Sequence, residues 1–286
     1  LENGRHEKVK LMKIRFLGTA AYEGIPSLFC NCPVCSGARK AGGRNLRSRS
    51  QAIVNGELLL DFPADTLWHA QRFGLDWNAI GSCLITHPHS DHFYPEDMVM
   101  GRPDFCHDNR PMNYYLPAAA ELRLRQEIAL TGLSDMQGRI VPHRVEPFCV
   151  FEAMGYRVLP LAADHPTAKD PLFYAIEKDG KRLLYAHDTG YFPEDSWQAL
   201  RSFGKFGLVS MDCTGGAHTD WRQNHMCLTS NVEVADRLRK EGLADANTVF
   251  VANHFSHNGG ASYDELCEIA LKYGIVISYD GLEIEF

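Results

Sequence analysis

Apolar positions in this chain come in short alternating or continuous stretches, punctuated by Gly, Asn-Gly and Asp-Gly. Residues 14–18 read as a first strand that stops at Gly18. Residues 52–61 read as a β-hairpin, because Asn55-Gly56 is a strong two-residue turn between apolar runs. Over 65–73, Leu67, Trp68, Ala70 and Phe73 fall at helical spacing, and Gly74 closes the segment. An apolar strand is expected at 79–86, an irregular stretch at 93–113 and a helix at 118–130. Strands follow at 145–150 and 156–162, and a hairpin over 173–177 and 182–186 turns at Asp179-Gly180. A strand at 206–212, a helix at 232–241, a strand at 248–253, a helix at 263–273 and a terminal strand complete the pattern. This order is neither the alternation of a βα barrel nor that of a doubly wound sheet. It predicts an α+β architecture, with two mixed sheets and helices outside. No internal repeat, low-complexity segment or dividing linker interrupts it, so 12–286 is expected to form one domain. The run from Met12 looks like a natural beginning, and 1–11 reads as an upstream extension or a vector-derived remnant.

The strand expected at 79–86 runs into Thr86-His87-Pro88-His89-Ser90-Asp91-His92. Three imidazoles and a carboxylate within His87 to His92 exceed the three protein ligands of an ordinary catalytic zinc, and point to two neighbouring ions. A polar loop that happens to be His-rich is the plainer alternative. Later strands end in the same chemistry: Asp164-His165 after one, His187-Asp188 after another, His254 after a third. Each alone is weak, since surface His and Asp are common at strand ends. Together with the first cluster they make a repeated pattern that chance seldom produces.

Composition narrows the classes. The chain has 286 residues and a net charge of −7, which argues against a general polyanion-binding surface. A small anionic substrate held by metals stays open. No apolar run reaches the length of a membrane span, and no signal peptide opens the chain. Nine cysteines, an odd number without an export signal, point to reduced thiols and a cytoplasmic protein. Six are scattered and read as small buried hydrophobes. The other three, Cys30, Cys32 and Cys35, fall in one short loop. Thiolates this close look like part of a structural zinc site, with His257 as the fourth ligand. Reduced surface thiols are the alternative.

The H-x-H-x-D-H run and the later strand ends resemble the metallo-β-lactamase superfamily, and the resemblance covers residues 12–286. It implies an αββα four-layer sandwich with metals at one edge of the paired sheets. It also implies that His87, His89 and His165 hold one ion and that Asp91, His92 and His254 hold the second. Asp188 would bridge them, and Asp61 would orient a ligand from behind or merely cap a turn. Two such ions, Zn or Mn, would ionise a shared water near neutral pH, so hydrolysis is the expected reaction.

Further pieces resemble the phosphodiesterase branch of that superfamily, in particular the enzymes that open a phosphoribosyl 1,2-cyclic phosphate in the carbon–phosphorus lyase pathway. They are Gly18-Thr19, Gly24-Ile25-Pro26, the C-x-C-x-x-C loop, Met211-Asp212-Cys213, Asn224-His225, His254-x-x-His257 and Asp280-Gly281-Leu282-Glu283. By that likeness His225 would contact the phosphate or protonate the leaving oxygen. His187 and Gly215-Gly216 depart from the pattern, and 93–145 follows no motif of the branch. The basic stretch 39–49 would attract a phosphate or form a solvated loop. The expectation is therefore a dinuclear hydrolase, with Asp91, Asp188 and His225 in the chemistry, acting on a small phosphorylated substrate. A homodimer stays open as its assembly. A tRNA 3′-processing-type ribonuclease shares the ligands but needs a protruding arm that this chain lacks. A thioester or lactone hydrolase and a non-catalytic metabolite-binding protein remain as rivals.

Overall fold

The computed structural model describes residues 10–108, 110–131 and 138–286. Most of the expected extension over 1–11, and parts of 93–145, lie outside the described residues.

One sheet contains β1 (Lys13–Gly18), β2 (Gln51–Val54), β3 (Leu58–Leu60), β4 (Ser82–Leu84), β5 (Met112–Leu116), β6 (Ile140–Arg144) and β14 (Glu283–Glu285), in the order β14-β1-β2-β3-β4-β5-β6. The other contains β7 (Phe151–Ala153), β8 (Tyr156–Ala162), β9 (Leu172–Lys178), β10 (Lys181–Ala186), β11 (Leu208–Asp212), β12 (Val249–Asn253) and β13 (Ile275–Ile277), in the order β13-β12-β11-β10-β9-β8-β7. Both sheets are mixed in the same way. From β14 to β3 neighbours are antiparallel, and from β3 to β6 parallel. From β7 to β10 they are antiparallel, and from β10 to β13 parallel. The chain repeats one topology in two halves, although its sequence shows no repeat.

Side chains that alternate along a strand point to opposite faces. Leu58 and Leu60 of β3, Tyr174 and Ile176 of β9, and Leu183 and Tyr185 of β10 join one cluster between the sheets. Their neighbours Phe173, Ala175, Leu184 and Ala186 face outward into a second cluster. That cluster also holds Trp197 and Leu200 of α4 (Glu194–Arg201), Val234 and Leu238 of α5 (Leu228–Lys240) and Leu266 of α6 (Tyr263–Leu271). Leu59 faces the opposite way, into a third cluster with Ala120 and Leu124 of α3 (Ala118–Thr131); α2 (Thr66–Phe73) packs beside β1 on that sheet. Three clusters separate four layers, helices outside two sheets, as expected.

The turn chemistry follows the sequence. Asn55 and Gly56 both take positive φ, 51° and 74°, and so do Asp179 and Gly180, at 52° and 77°. Such turns match the twist of the strands they join.

Several expectations are corrected. Residues 145–150 are not a strand, because Glu146-Pro147 breaks the ladder and Phe148 turns at φ 67°. The strand at 79–86 pairs only over Ser82–Leu84, and its last residues leave the sheet for the site. Within the irregular stretch lie a 3₁₀ segment, Pro95–Gly101, and the start of β5. The cysteine loop is not all loop: α1 (Pro33–Ala41) carries Cys35, and Cys32 caps its N-terminus by accepting from the Cys35 N–H. Helix α4 and strand β6 were not foreseen. The basic stretch is divided: Arg39, Lys40 and Arg44 are exposed, as expected of a solvated segment, whereas Arg47 is structural. Arg47 is buried, donates to Thr19 Oγ1 at 2.8 Å and Ser278 O at 2.7 Å, and lies on the Phe255 ring.

Candidate metal centre

Strand direction brings the expected ligands together. β3 and β4 run parallel, so Asp61 and residues 85–92 leave the first sheet at one end. β8, β10, β11 and β12 share a direction in the second sheet, so His165, Asp188, Asp212 and His254 follow at their C-terminal ends. Asp61, Asp188 and His254 each take a left-handed backbone, at φ 66°, 54° and 63°. A non-glycine residue pays for that conformation, and such strain collects where side chains must be aimed.

Three overlapping groups result, the third being Asp188, Asp212, His225 and His254, and the first two hold the expected ligands. In the first, donor atoms of His87, His89, His165 and Asp188 all lie within 4.8 Å of one another; in the second the same holds for Asp91, His92, Asp188 and His254. Asp188 belongs to both. Its Oδ2 lies 3.1 Å from His87 Nε2, 3.3 Å from His92 Nε2 and 3.5 Å from His165 Nε2. The structure thus brings His87, His89, His165, Asp91, His92, Asp188 and His254 together.

The neighbours of these imidazoles fix their tautomers. Asp61 Oδ2 is 2.8 Å from His92 Nδ1, while Asp61 Oδ1 accepts from the Thr86 N–H and hydroxyl at 2.8 and 2.9 Å. His92 therefore donates from Nδ1 and presents an unprotonated Nε2. Asp61 orients a ligand and does not cap a helix. Across the site, Thr214 Oγ1 (2.9 Å) and Asp212 Oδ2 (3.3 Å) hold His254 Nδ1 in the same way. The two Nε2 atoms then face each other at 3.0 Å, with Asp91 and Asp188 oxygens beside them. Nitrogens and carboxylates so placed suit a shared cation, a metal ion or a proton. The buried His87 Nε2 makes no well-aligned hydrogen bond with the protein. Imidazole and carboxylate donors of this kind suit Zn or Mn. The chain thus carries a metal-binding His/Asp cluster.

Protonation agrees. Burial, reinforced by the neighbouring His92, lowers the pKa of His87. Burial also takes His165 down to about 4, so both are neutral imidazoles, the form that ligates. Burial would raise Asp188, but the surrounding histidines outweigh it and hold the carboxyl well below its usual range.

His225 stands differently. Its Nδ1 lies 3.0 Å from Asp188 Oδ1 and 3.2 Å from Asp212 Oδ2. Burial lowers its pKa, yet these two carboxylates outweigh burial and raise it to about 10. Asp212 and Thr214 were missed as supporting residues. The available signal was Asp212 closing an apolar strand, as Asp61 nearly does. His187 departs from the expected pattern and is buried away from the cavity, with its Nε2 2.6 Å from Ser210 Oγ.

A second cluster lies apart. Donor atoms of Cys30, Cys32, Cys35 and His257 fall within 4.8 Å of one another. His257 Nδ1 is 3.7 Å from Cys30 Sγ and 3.5 Å from Cys32 Sγ. Backbone N–H groups point at the sulfurs: Cys35 N–H to Cys32, Cys32 N–H to Cys30 and Ser27 N–H to Cys35. The Cys35 N–H is the main reason the Cys32 thiol drops to about 6, whereas burial pushes Cys35 up to about 11. Three sulfurs and a nitrogen make the donor set of a structural zinc.

Comparison with known proteins gives three likenesses of note. The family profile described as "Beta-lactamase superfamily domain" matches residues 61–251. A diphosphatase of the PhnP family shares the fold at TM-score 0.75 and 22% identity, with 97% of this chain and 98% of that chain covered. Zn(2+)-bound PqqB from Methylobacterium extorquens shares it at TM-score 0.72 and 17% identity, covering 96% and 100%. In sequence, coenzyme PQQ synthesis protein B from Azoarcus sp. (strain BH72) is 25% identical over 258 residues, or 75% of each chain. No helix among the described residues is long and apolar enough to cross a membrane.

Proposed function

Because this chain belongs to the beta-lactamase superfamily, we propose that it is a dinuclear metal-dependent hydrolase of small phosphodiesters. The observation that carries this reading is Asp188, shared by two ligand groups drawn from both sheets. His87, His89 and His165 would hold one ion and Asp91, His92 and His254 the other, both Zn or Mn. Cys30, Cys32, Cys35 and His257 would hold one structural zinc. A pair of divalent ions would supply an ionised water at neutral pH and a Lewis acid for a phosphoryl oxygen.

The remaining work falls to the chain. Asp91 and Asp188 offset the repulsion between two cations. Asp61, Thr214 and Asp212 hold imidazole rings in the ligating tautomer, so no reorganisation is needed on binding. His225 commits Nδ1 to carboxylates, and its Nε2 has no hydrogen-bond partner among the described residues. That nitrogen is the proton donor for the leaving oxygen. Hydrolysis then balances: water adds to phosphorus, the ester P–O bond breaks, and the departing alkoxide takes a proton from His225 to leave as an alcohol. The cysteine cluster needs reduced thiols, which supports a cytoplasmic location.

Turnover of bis(p-nitrophenyl) phosphate with Zn or Mn tests the reading. Asp188→Ala should abolish it, since the change removes the shared ligand and the charge between the cations. Full activity in that variant rules the assignment out. The likeness to coenzyme PQQ synthesis protein B favours a second reading, a role in handling a cofactor precursor without ester hydrolysis. Two bound ions with no turnover of any ester would support it.

A further inference from the structure

A cavity of about 480 Å³ opens over the metal cluster. That volume suits a small ligand. Beyond the cluster itself, its lining includes Tyr22, Glu23, Thr167, Trp221, Ser256 and Asn258. Among the described residues no Lys or Arg side chain lines it.

Cations on the flanking segments are committed elsewhere. Arg49 lies 5.9 Å from the centre of the Tyr22 ring, with its charge paired to Asp65 at 3.3 Å. Arg222 pairs with Glu233 and lies 3.9 Å from the centre of the Tyr191 ring. Arg123 donates to the carbonyls of Pro88 and Phe93 and pairs with Glu96. Lys169, two residues past Thr167, is exposed and outside the lining. One charged side chain other than cluster members and His225 does face the cavity, and it is an acid. Glu23 is held in place by the Ser256 hydroxyl and lies 3.6 Å from His257 Nε2.

The walls are aromatic. Trp221 stacks on His218 with ring centres 5.3 Å apart. Its carbonyl accepts from Ser230 Oγ at 2.8 Å, and a Cβ added at Gly215 would meet its side chain at 2.9 Å. Tyr22 is more than half exposed at the rim, and its carbonyl accepts from Arg49 Nε at 2.8 Å. Rigid flat faces of this kind stack on sugars and bases.

We propose that this cavity selects phosphodiesters whose only anionic group is the scissile phosphate, with a sugar or base packed on Tyr22 and Trp221, and discriminates against substrates that carry a further phosphate. The inference rests on the phosphodiesterase reading and refines it. A second phosphate would meet Glu23, and the nearest arginines, Arg49 and Arg222, already have their charge paired to Asp65 and Glu233; like charges brought together in a partly desolvated site repel strongly. A phosphoribosyl cyclic phosphate with its free 5′-phosphate would therefore be a poor substrate, contrary to the resemblance drawn from the sequence motifs.

A matched pair tests this: adenosine 2′,3′-cyclic phosphate, and the same compound phosphorylated at the 5′ position. The unphosphorylated compound should have the higher kcat/KM by about tenfold or more. In parallel, calorimetry on the metal-loaded protein would compare adenosine 3′-monophosphate with adenosine 3′,5′-bisphosphate, a readout independent of turnover. The monophosphate should bind about tenfold more tightly. Asn258→Lys places a cation in the lining at a residue whose only hydrogen bonds are through its backbone, and should narrow both ratios. Equal or better binding of the bisphosphate, or no binding of either nucleotide, overturns the inference. Loss of the phosphodiesterase reading would look different: no turnover of these compounds or of bis(p-nitrophenyl) phosphate, with the binding preference intact.

Discussion

Asp61 is wholly buried, and both of its oxygens are engaged by Thr86 and His92. Its charge sets which His92 nitrogen keeps the proton. Asp61→Asn would keep the shape but turn an amide N–H toward His92 Nδ1–H, or force the ring to the other tautomer, which cannot ligate through Nε2. Loss of such a partner costs 10- to 100-fold in metal affinity in comparable sites. A calorimetric titration of the apoprotein with Zn or Mn should therefore show one site weakened by about that factor in Asp61→Asn. Unchanged affinity would mean that the Asp61–His92 contact does not position the ligand. At this scale much was legible. His87 to His92 are local in sequence, and Asp188 and His254 end apolar strands. Asp212 was legible only as part of the Met211-Asp212-Cys213 likeness, without a role, and Thr214 was not, because a lone Thr after a strand is ordinary until folding sets it against a ligand.

Elements explain what the motif alone does not. The strands that feed the cluster share a direction, and the switch from antiparallel to parallel pairing occurs at β3 and β10. Asp61 and Asp188 follow those two strands. The hairpins were legible because Asn-Gly and Asp-Gly fix a turn locally. Helix α1 was hidden because Cys, Gly and Pro crowd its start. It forms because Cys32 caps it, Pro33 opens it, and the three sulfurs close on His257 from 222 or more residues away. Arg39 then ties the helix to its own loop by donating to Ser27 O and Cys30 O, each at 2.8 Å. Nearby, the loops bearing Thr214 and His257 pack so closely that a Cβ at Gly216 would meet Gly259 O at 2.7 Å. Cys32→Ser removes both a ligand and the cap. It should lose one equivalent of zinc and lower Tm by about 5 °C, which corresponds to roughly 2 kcal/mol in a protein of this size. An unchanged zinc content and melting temperature would dismiss the structural site and leave three reduced thiols.

For the molecule as a whole, the metal cluster is a joint between halves. Asp61 and the His87–His92 loop come from one sheet; His165, Asp188 and His254 come from the other. The apolar core between the sheets, built on Leu58, Leu60, Tyr174, Leu183 and Tyr185, holds them face to face. It ends at this edge, where buried carboxylates and unprotonated imidazoles replace Leu and Tyr. Without metal ions, protons on His92 and His254 pair with the carboxylates of that edge in their place, because those carboxylates outweigh burial and raise both imidazoles. Ions that bind the folded edge and not the unfolded chain stabilise the whole by mass action, about 2.7 kcal/mol at a hundredfold excess over Kd. For a chain of this length that is on the order of 5–10 °C in Tm. Chelation should therefore lower the melting temperature by about that much, and Zn or Mn should restore it. In Cys32→Ser, which lacks only the separate cysteine site, part of the chelator-induced drop should persist. A drop abolished by that substitution would assign all metal-linked stability to the cysteine cluster and leave the His/Asp edge without the ions on which the hydrolase reading depends.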